Sequence, residues 1–254
     1  MTTVIRASGV NFNNPNLPVI EQIVTDGLVA AYRPSTSAMS LVDLSGNGHN
    51  LQQVGNPTLT SKGVVGDVSN GFATDITETR SLTYIAVHKV VKTGSDNRSF
   101  AVGCYSQSNS VGSSIWTDND AGSSTLKSQV YLYDASVSKN KNQVILFHSG
   151  AVYDYVFSAL VVDADAEKVL TYIPSQSSAP KSTFNVQAES KSLKSRTLST
   201  VPVKIAVNTD NDHWLGQSHV AEVLIYDKAL TTTQILQQYE YSKAFMLKNR
   251  GIAI

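Results

Sequence analysis

A single cysteine, Cys104, stands in a chain of 254 residues. No intramolecular disulfide can hold such a chain, and its stability has to come from a packed core. Charge is equally sparse: Asp, Glu, Lys and Arg make up 16% of the residues, 20 basic against 20 acidic, for a formal net charge of zero. With no basic excess there is no field to gather phosphates, and no Lys/Arg run marks a nucleic-acid or anionic-membrane contact. No stretch approaches the roughly 18 apolar residues of a membrane helix. The N-terminal MTTVIRASGVNFNNPNLP lacks the apolar heart of a signal peptide. The expectation is a soluble protein made in the cytoplasm, with neither nucleic acid nor membrane as partner.

The usual local signatures of catalysis are missing too. No Gly-x-Ser-x-Gly elbow, Gly-x-x-x-x-Gly-Lys loop or His-Glu-x-x-His motif occurs, which removes the local sequence support for serine hydrolysis, nucleotide chemistry and zinc hydrolysis. Of the five histidines, His88, His148 and His219 fall within or at the ends of strand-like runs, where structural roles are expected. Cys104, inside SFAVGCY, reads as a buried thiol.

What is present is strand material. From Gly27 onward short apolar runs follow one another: GLVAAYR, SLTYIAVHKVV, RSFAVGCY, LKSQVYLY, NQVILFH, YDYVFSALVV, EKVLTYI, VPVKIAV and HVAEVLIY. LKSQVYLY alternates, with Leu126, Val130 and Leu132 on one face and Lys127, Gln129 and Tyr131 on the other; VPVKIAV turns Val203, Ile205 and Val207 inward. Turn chemistry separates the runs at 44–50, 93–97, 119–123, 135–142 and 163–166. Many short strands with hydroxyl-rich connectors predict an all-β, two-sheet antiparallel sandwich forming one domain over residues 27–254.

Two segments differ. Residues 1–26 are rich in Asn and Pro, which predicts an extended N-terminal arm. Its apolar residues, Val4, Ile5, Val10, Phe12, Leu17, Val19, Ile20 and Ile23 among them, imply that it lies against something. After Asp227, Ile235, Tyr239, Ser242 and Met246 share one helical stripe flanked by Leu236 and Phe245. Thr231 with Gln234 forms a capping box, and Lys248, Arg250 and Gly251 supply a cationic last turn and a stop, so an α-helix is predicted over 231–249.

Three stretches resemble the laminin-G-like, concanavalin-A-like jelly rolls of bacteriophage tail and other virion-associated proteins. They are GLVAAYRPSTSAMSLVDLSGNGHNLQQVGNPT with its Asp43-to-Gly48 loop, VVDADAEKVLTYI, and HWLGQSHVAEVLIYDKALTTTQILQQYEY. The resemblance implies a jelly roll, homo-oligomeric in the virion, with a trimer as the family's habit, and in many relatives a carbohydrate-binding role. NFNNPNLP looks like the leader by which phage structural proteins tie a subunit to its neighbours. A secreted laminin-G module would instead carry a signal peptide.

Candidate site residues fall in four groups. WTDND and TDNDHW each place an indole beside acceptor-rich residues: Trp116, Asp118, Asn119 and Asp120, then Asp210, Asn211, Asp212, His213 and Trp214. An indole stacks on a pyranose while Asp and Asn bond its hydroxyls, and the same oxygens suit Ca²⁺. Equally, Asp-Asn turns connect strands and each Trp can anchor its loop in the core. Asp43 and Asn47 are a second Ca²⁺ candidate, or an Asx-turn. Asp163, Asp165 and Glu167 form an acid-and-nucleophile set if DADAE is a strand, and a hairpin tip if it is a turn. Glu222, inside an apolar strand, has to find a donor, face solvent or serve the function.

The expected function is a non-catalytic phage tail or tail-fibre protein that binds host-surface carbohydrate or another tail protein, with Trp116 and Trp214 exposed. One alternative is a purely structural virion subunit with both tryptophans buried. The other is a polysaccharide depolymerase acting through the 163–167 carboxylates.

Overall fold

The structure, a computed structural model, describes residues 23–37, 40–91, 98–118, 125–149, 154–180, 184–185, 191–207 and 216–254. The strands are β1 (Leu28–Tyr32), β2 (Gln52–Val54), β3 (Thr58–Thr60), β4 (Gly63–Gly66), β5 (Gly71–Ala73), β6 (Leu82–Val91), β7 (Ser99–Gly103) and β8 (Ser113–Asp118). They continue with β9 (Thr125–Asp134), β10 (Lys139–Ser149), β11 (Val156–Asp163), β12 (Lys168–Tyr172), β13 (Phe184–Asn185), β14 (Lys191–Ser192), β15 (Lys204–Ile205) and β16 (Gln217–Tyr226), and α1 (Thr232–Arg250) follows. Most of the predicted runs form strands, but the turn expected over 135–142 occupies only Ala135 to Ser138, because Lys139 to Asn142 already pair with β9.

The strands divide into two eight-stranded sheets, one ordered β13-β12-β11-β6-β16-β4-β3 with β1 also on β16, the other β10-β9-β8-β7-β15-β5-β2 with β14 also on β9. Every described pairing is antiparallel, as in a two-sheet jelly-roll sandwich. Period-two alternation gives β6 two buried faces: Leu82, Tyr84 and Ala86 enter the core between the sheets, while Ile85 and Val87 point outward to a second apolar layer. That second layer is roofed by α1 through Ile235, Tyr239 and Met246. Each such side chain contributes about 1.5–3 kcal/mol by leaving water.

The helix closes the sandwich as its sequence predicts. Thr231 accepts from the Gln234 N–H while the Gln234 side chain accepts from the Thr231 N–H, and Gly251 ends the helix at φ 61° with its N–H on the Leu247 carbonyl. The last residues of the predicted arm lie against it: Val24 is buried beside the helix and donates its N–H to Gln238 Oε1 at 2.9 Å. Residues 1–22 of that arm are outside the described residues.

His88 shows how strongly the inner strands are desolvated. It is buried on β6 against Ser158 Oγ at 2.9 Å, and burial pulls its pKa down from 6.5 to about 4. The unfolded chain takes up this proton near pH 6.5 and the folded chain only near pH 4. Stability from the neutral imidazole is therefore fully present above 6.5 and lost as pH falls towards 4, by about 3 kcal/mol. The urea midpoint is expected to drop between pH 7 and pH 4.5, and less steeply in His88→Gln. Equal midpoints at both pH values in the wild type would show that His88 keeps ordinary titration in the fold.

Candidate functional site

Strand pairing decides the fate of Trp116. On β8 it lies opposite Phe100 of β7 and Lys127 of β9, and it packs with Phe100, Tyr105 and Tyr131 in a separate aromatic cluster. Tyr105 and Tyr131 stack at 5.6 Å, and the Lys127 ammonium sits 4.8 Å from the Trp116 ring centre. With 6% of its surface exposed, Trp116 anchors this sheet and is not the open stacking platform expected of it. Of its companions, the Asp118 backbone ends β8, while Asn119, Asp120, Asp210, Asn211, Asp212, His213 and Trp214 lie outside the described residues.

The Asp43 loop is a structural staple, not the calcium site that was the other reading. Asp43 Oδ1 accepts the Ala31 and Ser45 N–H groups at 3.0 and 2.9 Å. Its Oδ2 accepts Ser45 Oγ and the Gly48 and His49 N–H groups at 2.7, 3.1 and 3.2 Å. Five donors fill the oxygens that a cation would need. Asn47 ties the same loop to β1 by donating to the Leu28 and Val29 carbonyls at 3.0 and 2.9 Å. Gly46 and Gly48, at φ 86° and 91°, turn the chain tightly enough for this wrapping.

DADAE is a hairpin tip. Asp163 pairs with Lys168 at the end of the β11–β12 ladder and accepts the Ala166 N–H, and Asp165 is exposed. Glu167, at φ 52°, turns inward, where it accepts Ser192 Oγ at 2.9 Å and the Leu193 N–H at 2.6 Å. The three acids point to different tasks and do not form the acid-and-nucleophile pair of a depolymerase.

Glu222 owes its place to a bulge in β16 between Val220 and Glu222, which sets it opposite Val87 on the helix side of the sheet. There it accepts Arg33 Nε at 2.7 Å and the Ser242 hydroxyl of α1, while Gln238 donates to Ser242. Sequence inspection missed a second buried pair, Glu78 with Arg196 at 2.7 Å, both side chains fully enclosed. Glu78 also accepts Ser113 Oγ and the Ser199 N–H. Neither ITETRS nor KSLKSRT has a period or spacing that would have revealed it. Near this pair, burial and the Glu78 charge push the Cys104 thiol up to about 12, so it stays protonated and inert.

The helix side of the molecule carries a cavity of about 580 Å³ lined by Lys62, Lys89, Asp154, Tyr155 and residues 251–254. The Tyr155 ring lies 5.4 Å from that of His219 and 5.1 Å from the Lys89 ammonium. Burial pulls the His219 pKa down to about 4, and the charges of Lys89, Lys62 and Arg250 act in the same direction.

The architecture is a two-sheet sandwich whose buried acids are engaged in structure, with an open recess beside the helix end. Solved structures with a similar frame include binding domains of toxins. That of botulinum neurotoxin DC in complex with rat synaptotagmin II superposes with a TM-score of 0.62 at 14% identity, over 86% of this chain and 52% of that one. A botulinum neurotoxin type C structure, whose toxin depends on two ganglioside molecules for cell entry, gives 0.61 at 14% identity over 86% and 51%. The binding domain of Paraclostridial Mosquitocidal Protein 1 gives 0.60 at 11% identity over 87% and 53%. This chain thus spans about half the length of the chains it matches, and at such identities the likeness is one of fold. No protein-family profile and no curated protein sequence matches the chain.

Proposed function

We propose that this chain is a non-catalytic binding sandwich that recognises a surface carbohydrate or a protein partner as a virion-associated tail or fibre component. One observation carries the binding reading. The five buried carboxylates among the described residues, Asp43, Glu78, Asp134, Glu167 and Glu222, all accept hydrogen bonds from groups that hold the fold together. That leaves surface recesses for function. The toxin domains with the same frame engage gangliosides and a protein receptor, which supports both ligand classes. The virion assignment, with its homo-oligomer and an arm tying subunits together, rests on the laminin-G-like stretches and the Asn- and Pro-rich leader.

A second reading, a structural subunit without a glycan, is favoured by one observation: Trp116 is buried, as that reading expects. An array of bacterial surface polysaccharides separates the two, with sedimentation of the same sample for self-association. Saturable binding to a glycan class supports recognition. Self-association with no glycan bound would leave the structural subunit.

A further inference from the structure

We propose that the cavity beside the C-terminal end of α1 is a subsite for one acidic sugar residue, its carboxylate held by Lys62 and Lys89. The inference rests on the carbohydrate reading above and names the chemistry of the sugar.

Position comes first. Lys62 sits in the tight turn between β3 and β4, and Lys89 lies on β6 in register with His219, which in turn pairs with Val65 of β4. The sheet therefore delivers both lysines to the same end of the same face, where residues 251–254 leave the helix and complete the wall. Neither lysine has an ion pair among the described residues. Arg250, the third cation nearby, is already committed: it donates to the Arg33, Pro34, Lys62 and Ala221 carbonyls. Among the described residues, then, neither ammonium group has a carboxylate at ion-pair distance.

The other walls choose among anions. The Tyr155 ring, 5.1 Å from the Lys89 ammonium, forms part of the same wall. Ala253 and Ile254 offer an apolar side for a pyranose ring. Asp154 can accept from sugar hydroxyls, and its charge disfavours a doubly charged phosphate more than a singly charged carboxylate. A volume of about 580 Å³ is ample for a single sugar residue. One negative charge, a ring of hydroxyls and an apolar face describe a uronic-type sugar better than a phosphate.

The test is calorimetric titration with a glucuronic-acid-terminated trisaccharide, its glucose-terminated twin and inorganic phosphate, on wild type and on Lys62→Gln/Lys89→Gln. Both lysines lie at the surface turn and cavity rim, so the variant is expected to keep the wild-type melting temperature. The expected result is that wild type prefers the acidic trisaccharide over its neutral twin by about tenfold or more and the double variant loses that preference. Equal affinity for the two trisaccharides overturns the subsite, as does an unchanged double variant or phosphate competing at the acidic sugar's own affinity. Neutral glycans bound on the array with no acidic preference would sink the subsite and leave carbohydrate recognition standing. No glycan bound at all would remove both.

Discussion

Replacing Arg33 by Met is expected to lower the unfolding free energy by about 3–5 kcal/mol, because it leaves the Glu222 carboxylate buried without its cation. Both side chains are enclosed, at 5% and 0% exposure, and Arg33 Nε meets Glu222 Oε1 at 2.7 Å. The guanidinium also lies 3.8 Å from the Phe245 ring centre, so the methionine keeps part of the packing and the loss falls chiefly on electrostatics. At about 2–4 °C per kcal/mol for a chain of this size, the melting temperature should fall by roughly 10 °C. The double variant Arg33→Met/Glu222→Leu is expected to recover most of this, since removing both charges removes the desolvation penalty with the attraction. Urea unfolding of the wild type, Arg33→Met, Glu222→Leu and the double variant gives the coupling directly. A coupling energy near zero would mean that the pair is not the tie between β1, β16 and α1 that the geometry describes.

This network also shows what a sequence discloses. The helix stripe was legible because Ile235, Tyr239, Ser242 and Met246 recur at a local period, and its caps are local too. The alternation of LKSQVYLY likewise placed Leu126, Val130 and Leu132 in the core. Glu222 was legible only as a problem, a charge in an apolar strand. Its solution comes from Arg33, 189 positions earlier in the chain, and from Ser242 on the helix. Nothing periodic links those three positions; a bulge and a helix docking angle bring them together.

The same division governs the candidate sites. Asp-x-Ser-Gly-Asn-Gly is legible as a tight acceptor-rich loop, yet a calcium loop and an Asx staple share that composition. What separates them is whether the oxygens face backbone N–H groups or open space, and five donors on Asp43 settle it. The cavity beside α1 was invisible for the opposite reason. Lys62, Lys89, Asp154 and Tyr155 come from separate segments and are ordinary residues in each; only their convergence under residues 251–254 makes a recess.

Trp116→Ala is expected to destabilise the protein by about 3–5 kcal/mol, the cost of emptying a large buried ring site. The indole is 6% exposed among Phe100, Tyr105 and Tyr131, with the Lys127 ammonium over its face, so truncation opens a cavity and removes the ring from beneath that ammonium. Trp116→Phe, which keeps an aromatic plane against Lys127, should lose less. In a Trp214→Phe background, Trp116 is the sole indole emitter, since the chain has two tryptophans. Its fluorescence should be blue-shifted and poorly quenched by acrylamide in the folded state. Any ligand lost by Trp116→Ala should then be lost in proportion to the unfolded fraction and restored when the protein is stabilised at lower temperature. A Trp116→Ala protein as stable as wild type, with a red-shifted, freely quenched parent emission and abolished glycan binding, would return the indole to the sugar-stacking role that its flanking Asp-Asn residues first suggested. Stability and binding thus respond to different residues here: Trp116 holds the sheet, whereas Lys62 and Lys89 can be exchanged without touching the core.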